Sequence, residues 1–132
     1  MNYEEIENTL PFAKPYIMID SLEIEEEGKR GTALKNLTGQ EFYFEGHFPG
    51  RPVMPGVLII ETISQAAMAL LNRKDLKLSQ VLKIKFKTTI EPPCSISVPV
   101  SISEYESGGY LVRGEILKDG VSSASGELVL DK

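Results

Sequence analysis

From Gly56 to Asn72 the chain spells a helix that water alone would not support. Pro55-Gly56 opens it, and proline is tolerated in a first helical turn because its missing N–H would have had no intrahelical partner there. On a 3.6-residue wheel Ile59, Ile60, Ile63, Ala66, Ala67 and Leu70 share one side. Glu61, Ser64, Gln65, Met68 and Asn72 form a narrow polar stripe on the other. Most of the circumference is apolar or small, so protein has to enclose it. The apolar run Val57–Leu71 is too short and too polar, with Glu61 and Gln65 inside it, to cross a bilayer.

The material for that enclosure is strand-like. Residues 16–27 carry Ile17, Ile19, Leu22 and Ile24, and Gly28-Lys29-Arg30-Gly31 turns them into a returning strand over 32–37. Residues 81–90 alternate Leu82, Ile84 and Phe86 with Lys83, Lys85 and Lys87, which places the apolar set toward the core and the lysines on one outer face. Residues 95–105 alternate Ile96, Val98, Val100 and Ile102 with serines. Gly108-Gly109 and Asp119-Gly120 are turns into strands over 110–117 and 121–130. Residues 2–9 add a short helix anchored by Tyr3 and Ile6. One buried helix with about six antiparallel strands predicts an α+β domain in which a curved sheet wraps the helix. At 132 residues, the whole span 1–132 reads as one domain.

A net charge of −5 argues against non-specific nucleic-acid binding. One cysteine and one histidine exclude an intrachain disulfide and a Cys/His zinc cage. The start Met1-Asn2-Tyr3-Glu4-Glu5 lacks the basic and apolar regions of a signal peptide, so the expected place is the cytoplasm, without membrane insertion.

Residues 38–56 form a long connection, and such segments in compact domains are often functional. It holds His47, the only histidine, among glycines and prolines. Glu61 lies one turn into the helix that follows, where a charged carboxylate is costly unless paired or solvated in a cleft. A base and an acid so braced suit proton transfer. Equally, His47 fits a structural role and Glu61 an exposed helix edge. Gln65, four residues on, either orients Glu61 or is itself an edge residue. The N–H of Gly56, at the helix start, is placed to polarise a carbonyl or thioester oxygen; otherwise the glycine serves backbone conformation. No Gly-x-Ser-x-Gly elbow and no phosphate-binding glycine loop is present, and Cys94 reads as an inert thiol.

The run Gly46-His47-Phe48-Pro49-Gly50-Arg51-Pro52-Val53-Met54-Pro55-Gly56-Val57-Leu58-Ile59-Ile60-Glu61, continued by Ser64-Gln65-Ala66-Ala67, resembles the signature of the 3-hydroxyacyl-acyl-carrier-protein dehydratases of the FabZ type. Weaker similarity covers Leu10-Pro11, the segment from Pro15 to Asp20, Gly28-Lys29-Arg30 and Lys83 to Lys87. The chain departs from the family at Phe12-Ala13, at 39–43 and at Pro92-Pro93-Cys94. The resemblance implies a hot-dog fold, a homodimer joined edge to edge and, in some members, a trimer of dimers. It implies no metal and no organic cofactor.

The same resemblance assigns roles. His47 of one subunit would take the Cα proton of a 3-hydroxyacyl thioester, Glu61 of the partner subunit would protonate or orient the departing hydroxyl, and the Gly56 N–H would hold the thioester oxygen. The expected partner is an acyl carrier protein, for which Lys83, Lys85 and Lys87 offer a basic face; a solvated edge strand protected by lysines accounts for them equally well. A hot-dog thioesterase with Glu61 activating water, or a non-catalytic carrier-binding scaffold, are the rival readings.

Overall fold

A computed structural model of the chain describes residues 1–41, 44 and 53–132. Helix α1 (Tyr3–Thr9) begins at Asn2, whose side chain accepts from the Glu5 N–H while the Glu5 side chain accepts from the Asn2 N–H. This reciprocal cap satisfies two donors the helix would otherwise orphan. Then follow β1 (Ser21–Glu26), β2 (Arg30–Leu37), α2 (Gly56–Leu71), β3 (Lys77–Phe86), β4 (Cys94–Tyr105), β5 (Gly109–Lys118) and β6 (Val121–Asp131). The strands form one sheet in the order β1-β2-β4-β5-β6-β3, antiparallel throughout. Helix α2 lies across one face of it and touches all six strands. The expected α+β architecture is what folds.

Alternation decides which face takes the helix. In β4 Ile96, Val98 and Val100 are buried, whereas the intervening Ser95, Ser97 and Ser101 face outward. Helix α2 ends at Asn72, in the left-handed region at φ 54°, whose N–H bonds back to the Ala69 and Met68 carbonyls.

How close the helix can come is set by glycine. Gly31 in β2 pairs with Val100 in β4, Val100 with Gly114 in β5, Gly114 with Gly126 in β6, and Gly126 with Ile84 in β3. Three glycines therefore stand in one row across the sheet beneath the helix. A Cβ on Gly114 would lie 2.4 Å from Ile63 Cγ2, and one on Gly31 would lie 3.2 Å from Leu70 Cδ1. The side chains of α2 fill the space that these residues lack.

Three expectations need correction. Residues 16–20 are not strand: β1 starts only at Ser21, although Ile17, Met18 and Ile19 are buried. The Met18 N–H and the Tyr16 carbonyl bond to a helix side chain, as described below, while the Asp20 N–H reaches the Leu34 carbonyl of β2. The basic strand runs over 77–86 rather than 81–90, because Leu78 pairs with Leu130 and Phe86 with Ala124, after which Ile90 receives the Met54 N–H instead. Finally, Leu82 and Phe86 do not face the core: they are 43% and 54% exposed. Strand β3 is the last of the sheet, with ladder irregularities at Leu78/Gln80 and Val81/Lys83. Of that apolar set only Ile84 is half-buried, beside Gly126.

The glycine row makes a direct prediction. Gly114→Ala should cost about 1–3 kcal/mol through overpacking against Ile63, read as a lowered Tm. In a double-mutant cycle with Ile63→Ala the two losses should be less than additive. Strict additivity would show that the Gly114–Ile63 approach does not set the helix position.

Candidate functional site

Helix α2 carries three of the sequence-predicted site residues on neighbouring turns. Its N-cap, Pro55, makes no side-chain cap. The Pro55 carbonyl accepts from the Leu58 and Ile59 N–H groups at 3.0 and 3.1 Å, and among the described residues the Gly56 N–H at the very start has no acceptor. A Cβ at Gly56 would lie 2.9 Å from Phe86 Cζ. Neither earlier reason for this glycine was steric; in this structure the Phe86 ring stands directly against it. The backbone of the helix start is thereby reachable beside an exposed aromatic ring.

Glu61 is half-buried, and its Oε1 accepts from Gln65 Nε2 at 3.1 Å. The same Nε2 donates to the Tyr16 carbonyl at 2.8 Å, while Gln65 Oε1 accepts from the Met18 N–H at 2.7 Å. Gln65 is 1% exposed. Its amide therefore has one orientation: oxygen toward the Met18 N–H, nitrogen toward Tyr16 and Glu61. Gln65 is thus enclosed rather than at an exposed helix edge, and it bonds to Glu61. Glu61 Oε2 has no hydrogen bond among the described residues. The middle of the polar stripe seen on the helical wheel is enclosed, since Ser64, Gln65 and Met68 are each 2% exposed or less, whereas Glu61 is half-buried and Asn72 exposed.

His47 lies outside the described residues, as does most of the loop around it. The loop is entered through a clamp at Glu41, whose carboxylate accepts from Thr38 N–H, Thr38 Oγ1 and Gly39 N–H at 2.7–3.1 Å. Burial by itself would raise that carboxyl, but the bonds from Thr38 and Gly39 outweigh it and hold the group below the ordinary glutamate value. A depressed folded value means that the clamp stabilises above the ordinary glutamate range and is lost as acid protonates it. On the way out of the loop, Val53 and Met54 are buried, and Met54 N–H bonds to Ile90. Burial pushes the Cys94 thiol up, in keeping with the inert role expected of it.

Lys83, Lys85 and Lys87 line one shallow cavity of about 510 Å³, together with Arg30, Arg113 and three glutamates. It lies on the sheet face away from α2 and includes none of Gly56, Glu61 or Gln65. The lysines share a face, as alternation requires. Lys87 approaches Glu115 at 3.9 Å and Arg113 approaches Glu127 at 3.9 Å, whereas Lys83 and Lys85 have no ion pair among the described residues.

Gln65→Leu tests the wiring of the site. It would leave the Met18 N–H and the Tyr16 carbonyl unsatisfied, each costing about 1–3 kcal/mol, and would free the Glu61 carboxyl. A large fall in Tm is expected, with Gln65→Glu intermediate because it keeps the acceptor for Met18. A Tm like that of the parent in the Leu variant would remove Gln65 from the account.

The family described as ApeI-like, ApeI dehydratase, matches residues 23–126. A 3-hydroxyacyl-[acyl-carrier-protein] dehydratase FabZ from Clostridium kluyveri is 35% identical across 96% of this chain and 92% of its own length. Its counterpart from Geotalea uraniireducens is 39% identical across 97% and 94%. A chain of the dehydratase heterocomplex ApeI:P from Xenorhabdus doucetiae superimposes with a TM-score of 0.73 at 21% identity, covering 85% of this chain and 95% of that one. That likeness bears on the fold. The matches over nearly the full chain carry the assignment: the protein belongs to the ApeI-like and FabZ family of hot-dog dehydratases.

Proposed function

We propose that the protein converts 3-hydroxyacyl groups carried on an acyl carrier protein into trans-2-enoyl groups, releasing water. The observation that carries the proposal is the agreement of nearly the whole chain with FabZ dehydratases, with Glu61 tethered by Gln65 at the start of the enclosed helix. His47 takes the Cα proton. The electron pair of that C–H bond forms the C2–C3 double bond as the C3–O bond breaks, and the oxygen leaves as water with a proton from Glu61. The Gly56 N–H holds the thioester oxygen, on which negative charge grows as the proton departs.

The working unit is a homodimer joined along β3, with His47 of one protomer facing Glu61 of the partner subunit, and it acts in the cytoplasm. In support, Val81, Leu82 and Phe86 expose apolar surface along this outermost strand, and Val57 does so at the start of α2. An unpaired edge with an apolar flank is what a strand-to-strand interface buries. The carrier docks on the lysine face, where Lys83 and Lys85 have no ion pair among the described residues.

Incubation with a 3-hydroxyacyl thioester should yield the enoyl thioester; free thiol instead would mean a thioesterase, and no turnover a scaffold. His47→Ala and Glu61→Gln should each lower the rate roughly 10²–10⁴-fold without unfolding the protein. Mixing the two inactive variants should restore part of the activity through heterodimers that hold one intact site. Near-normal turnover in either variant ends the assignment, and absent rescue despite subunit exchange seen by mass places both residues in one chain.

Carrier docking is tested separately. Lys85→Glu with Lys87→Glu should raise KM for carrier-bound substrate and leave a small free thioester almost unaffected. The difference should shrink with added salt, as the Debye length falls to about 10 Å at 0.1 M. Equal losses on both substrates would indicate a damaged site, and no loss on the carrier would put docking elsewhere.

A further inference from the structure

The loop that carries His47 is entered and left against the same short segment, residues 90–92. Strand β2 ends at Leu37, which pairs with Cys94, the first residue of β4. The chain leaving β2 therefore starts beside the chain arriving from β3. There Gly39, at φ 97° in the left-handed region, lies against Pro92: a Cβ on it would stand 3.6 Å from Pro92 Cβ and Cγ. At the other end the Met54 N–H donates to the Ile90 carbonyl at 2.8 Å, and Ile90 is 1% exposed. Phe44, Val53 and Met54 are buried as apolar anchors. The eight residues between Phe44 and Val53, 45–52, include His47 and lie outside the described ones.

Burial holds the exit, whereas the entry depends on a charged group. Glu41 Oε1 accepts from the Thr38 and Gly39 N–H groups, each at 3.0 Å. Its Oε2 accepts from the Thr38 N–H at 3.1 Å and from Thr38 Oγ1 at 2.7 Å. The Thr38 hydroxyl accepts in turn from the Gln40 N–H at 3.1 Å, and the Glu41 carbonyl accepts from the Phe44 N–H at 3.1 Å. Glu41 thus bonds backward with its side chain and forward with its main chain. Hydrogen bonds to an ionised carboxylate are the stronger kind. The bonds from Thr38 lie at the surface, so they set the direction of the chain rather than enclose a core.

We propose that Glu41 is a positioning residue for His47: its clamp on Thr38 and Gly39, seated on Pro92, sets the direction in which the chain enters the base-bearing loop. The inference rests on the dehydratase reading, with His47 as its base. Glu41 touches no substrate and exchanges no proton. A base held in a near-attack position outpaces one that wanders, and misplacement by about 1 Å costs up to roughly 10²-fold. The anchors at Phe44, Val53 and Met54 keep the loop attached when the clamp is removed, so direction is lost and the fold is not.

Glu41→Ala and Glu41→Gln test the clamp together. In the Ala variant kcat should fall roughly 10–100-fold, with KM for a small thioester unchanged and Tm lowered by a few degrees at most. The Gln variant keeps an amide oxygen for the Thr38 and Gly39 N–H groups, and its NH2 can donate to the Thr38 hydroxyl. It should recover most of the lost kcat without the charge. A second readout needs no turnover, because His47 is the only histidine and gives a single imidazole signal by NMR. That signal should shift or broaden in the Ala variant and return toward the parent position in the Gln variant, while core methyl signals stay in place. An imidazole signal unmoved by Glu41→Ala overturns the proposal, as does a kcat within about twofold of the parent. A loss of kcat accompanied by displaced core methyl signals and a large fall in Tm overturns it too, since the role would then be structural. Failure of the parent protein to dehydrate any 3-hydroxyacyl thioester would defeat the dehydratase reading instead, and the imidazole signal would still report whether Glu41 places His47.

Discussion

The close seat of helix α2 on the sheet governs everything that follows it. Interiors are packed tightly enough that one methyl group is felt, and here two glycines of one cross-strand row, Gly31 and Gly114, lie against side chains of the helix. Ile63 enters the space over Gly114, and Leu70 approaches Gly31. That pair of contacts fixes both the depth of the helix and its rotation about its own axis. With rotation fixed, Gly56 is brought beside Phe86 and Glu61 and Gln65 are turned away from the sheet. A site built on a rigid element keeps its geometry better than one built on a loop alone.

The second constraint is polar. Gln65 ties the far side of α2 to the segment 16–18 through the Met18 N–H and the Tyr16 carbonyl. Buried main-chain groups must find partners, so that segment cannot shift without breaking bonds inside the site. The same amide holds Glu61. The seat of segment 16–18 and the placement of the carboxyl group are thus coupled through one side chain.

Much of this was legible in the residues. Alternation in β4, β5 and β6 marks their buried faces, and Pro55-Gly56 marks the helix start. Three features escaped that reading for identifiable reasons. An apolar run such as Ile17-Met18-Ile19 is buried by strand and by irregular chain alike, and nothing local says that a glutamine 47 residues away from Met18 will bind it. The wheel takes polar residues to face water, whereas Gln65 is satisfied internally and Ser64 is enclosed without a partner. The glycine row depends on register among β2, β4, β5 and β6, a long-range property. Position along the sheet likewise decided β3: alternation predicted which of its residues share a face, but an outermost strand has no core on one flank to receive Leu82 and Phe86.

The two edges of the sheet differ in charge, and the difference bears on how a substrate on an acidic carrier would arrive. Strand β1 and its turn bring Glu23, Glu25, Glu26 and Glu27 to one edge, while β3 and its continuation bring Lys77, Lys83, Lys85 and Lys87 to the other. Five strand spacings of about 4.8 Å separate them, more than the Debye length of about 8 Å at physiological salt, so each edge acts on an approaching charge nearly independently. An acidic surface is then attracted by one edge and repelled by the other, even though the chain as a whole carries −5. The basic edge is also the one whose Phe86 ring stands on Gly56. On the proposed reading, charge would then guide encounter from a surface separate from Glu61, since the lysine cavity includes none of Gly56, Glu61 or Gln65.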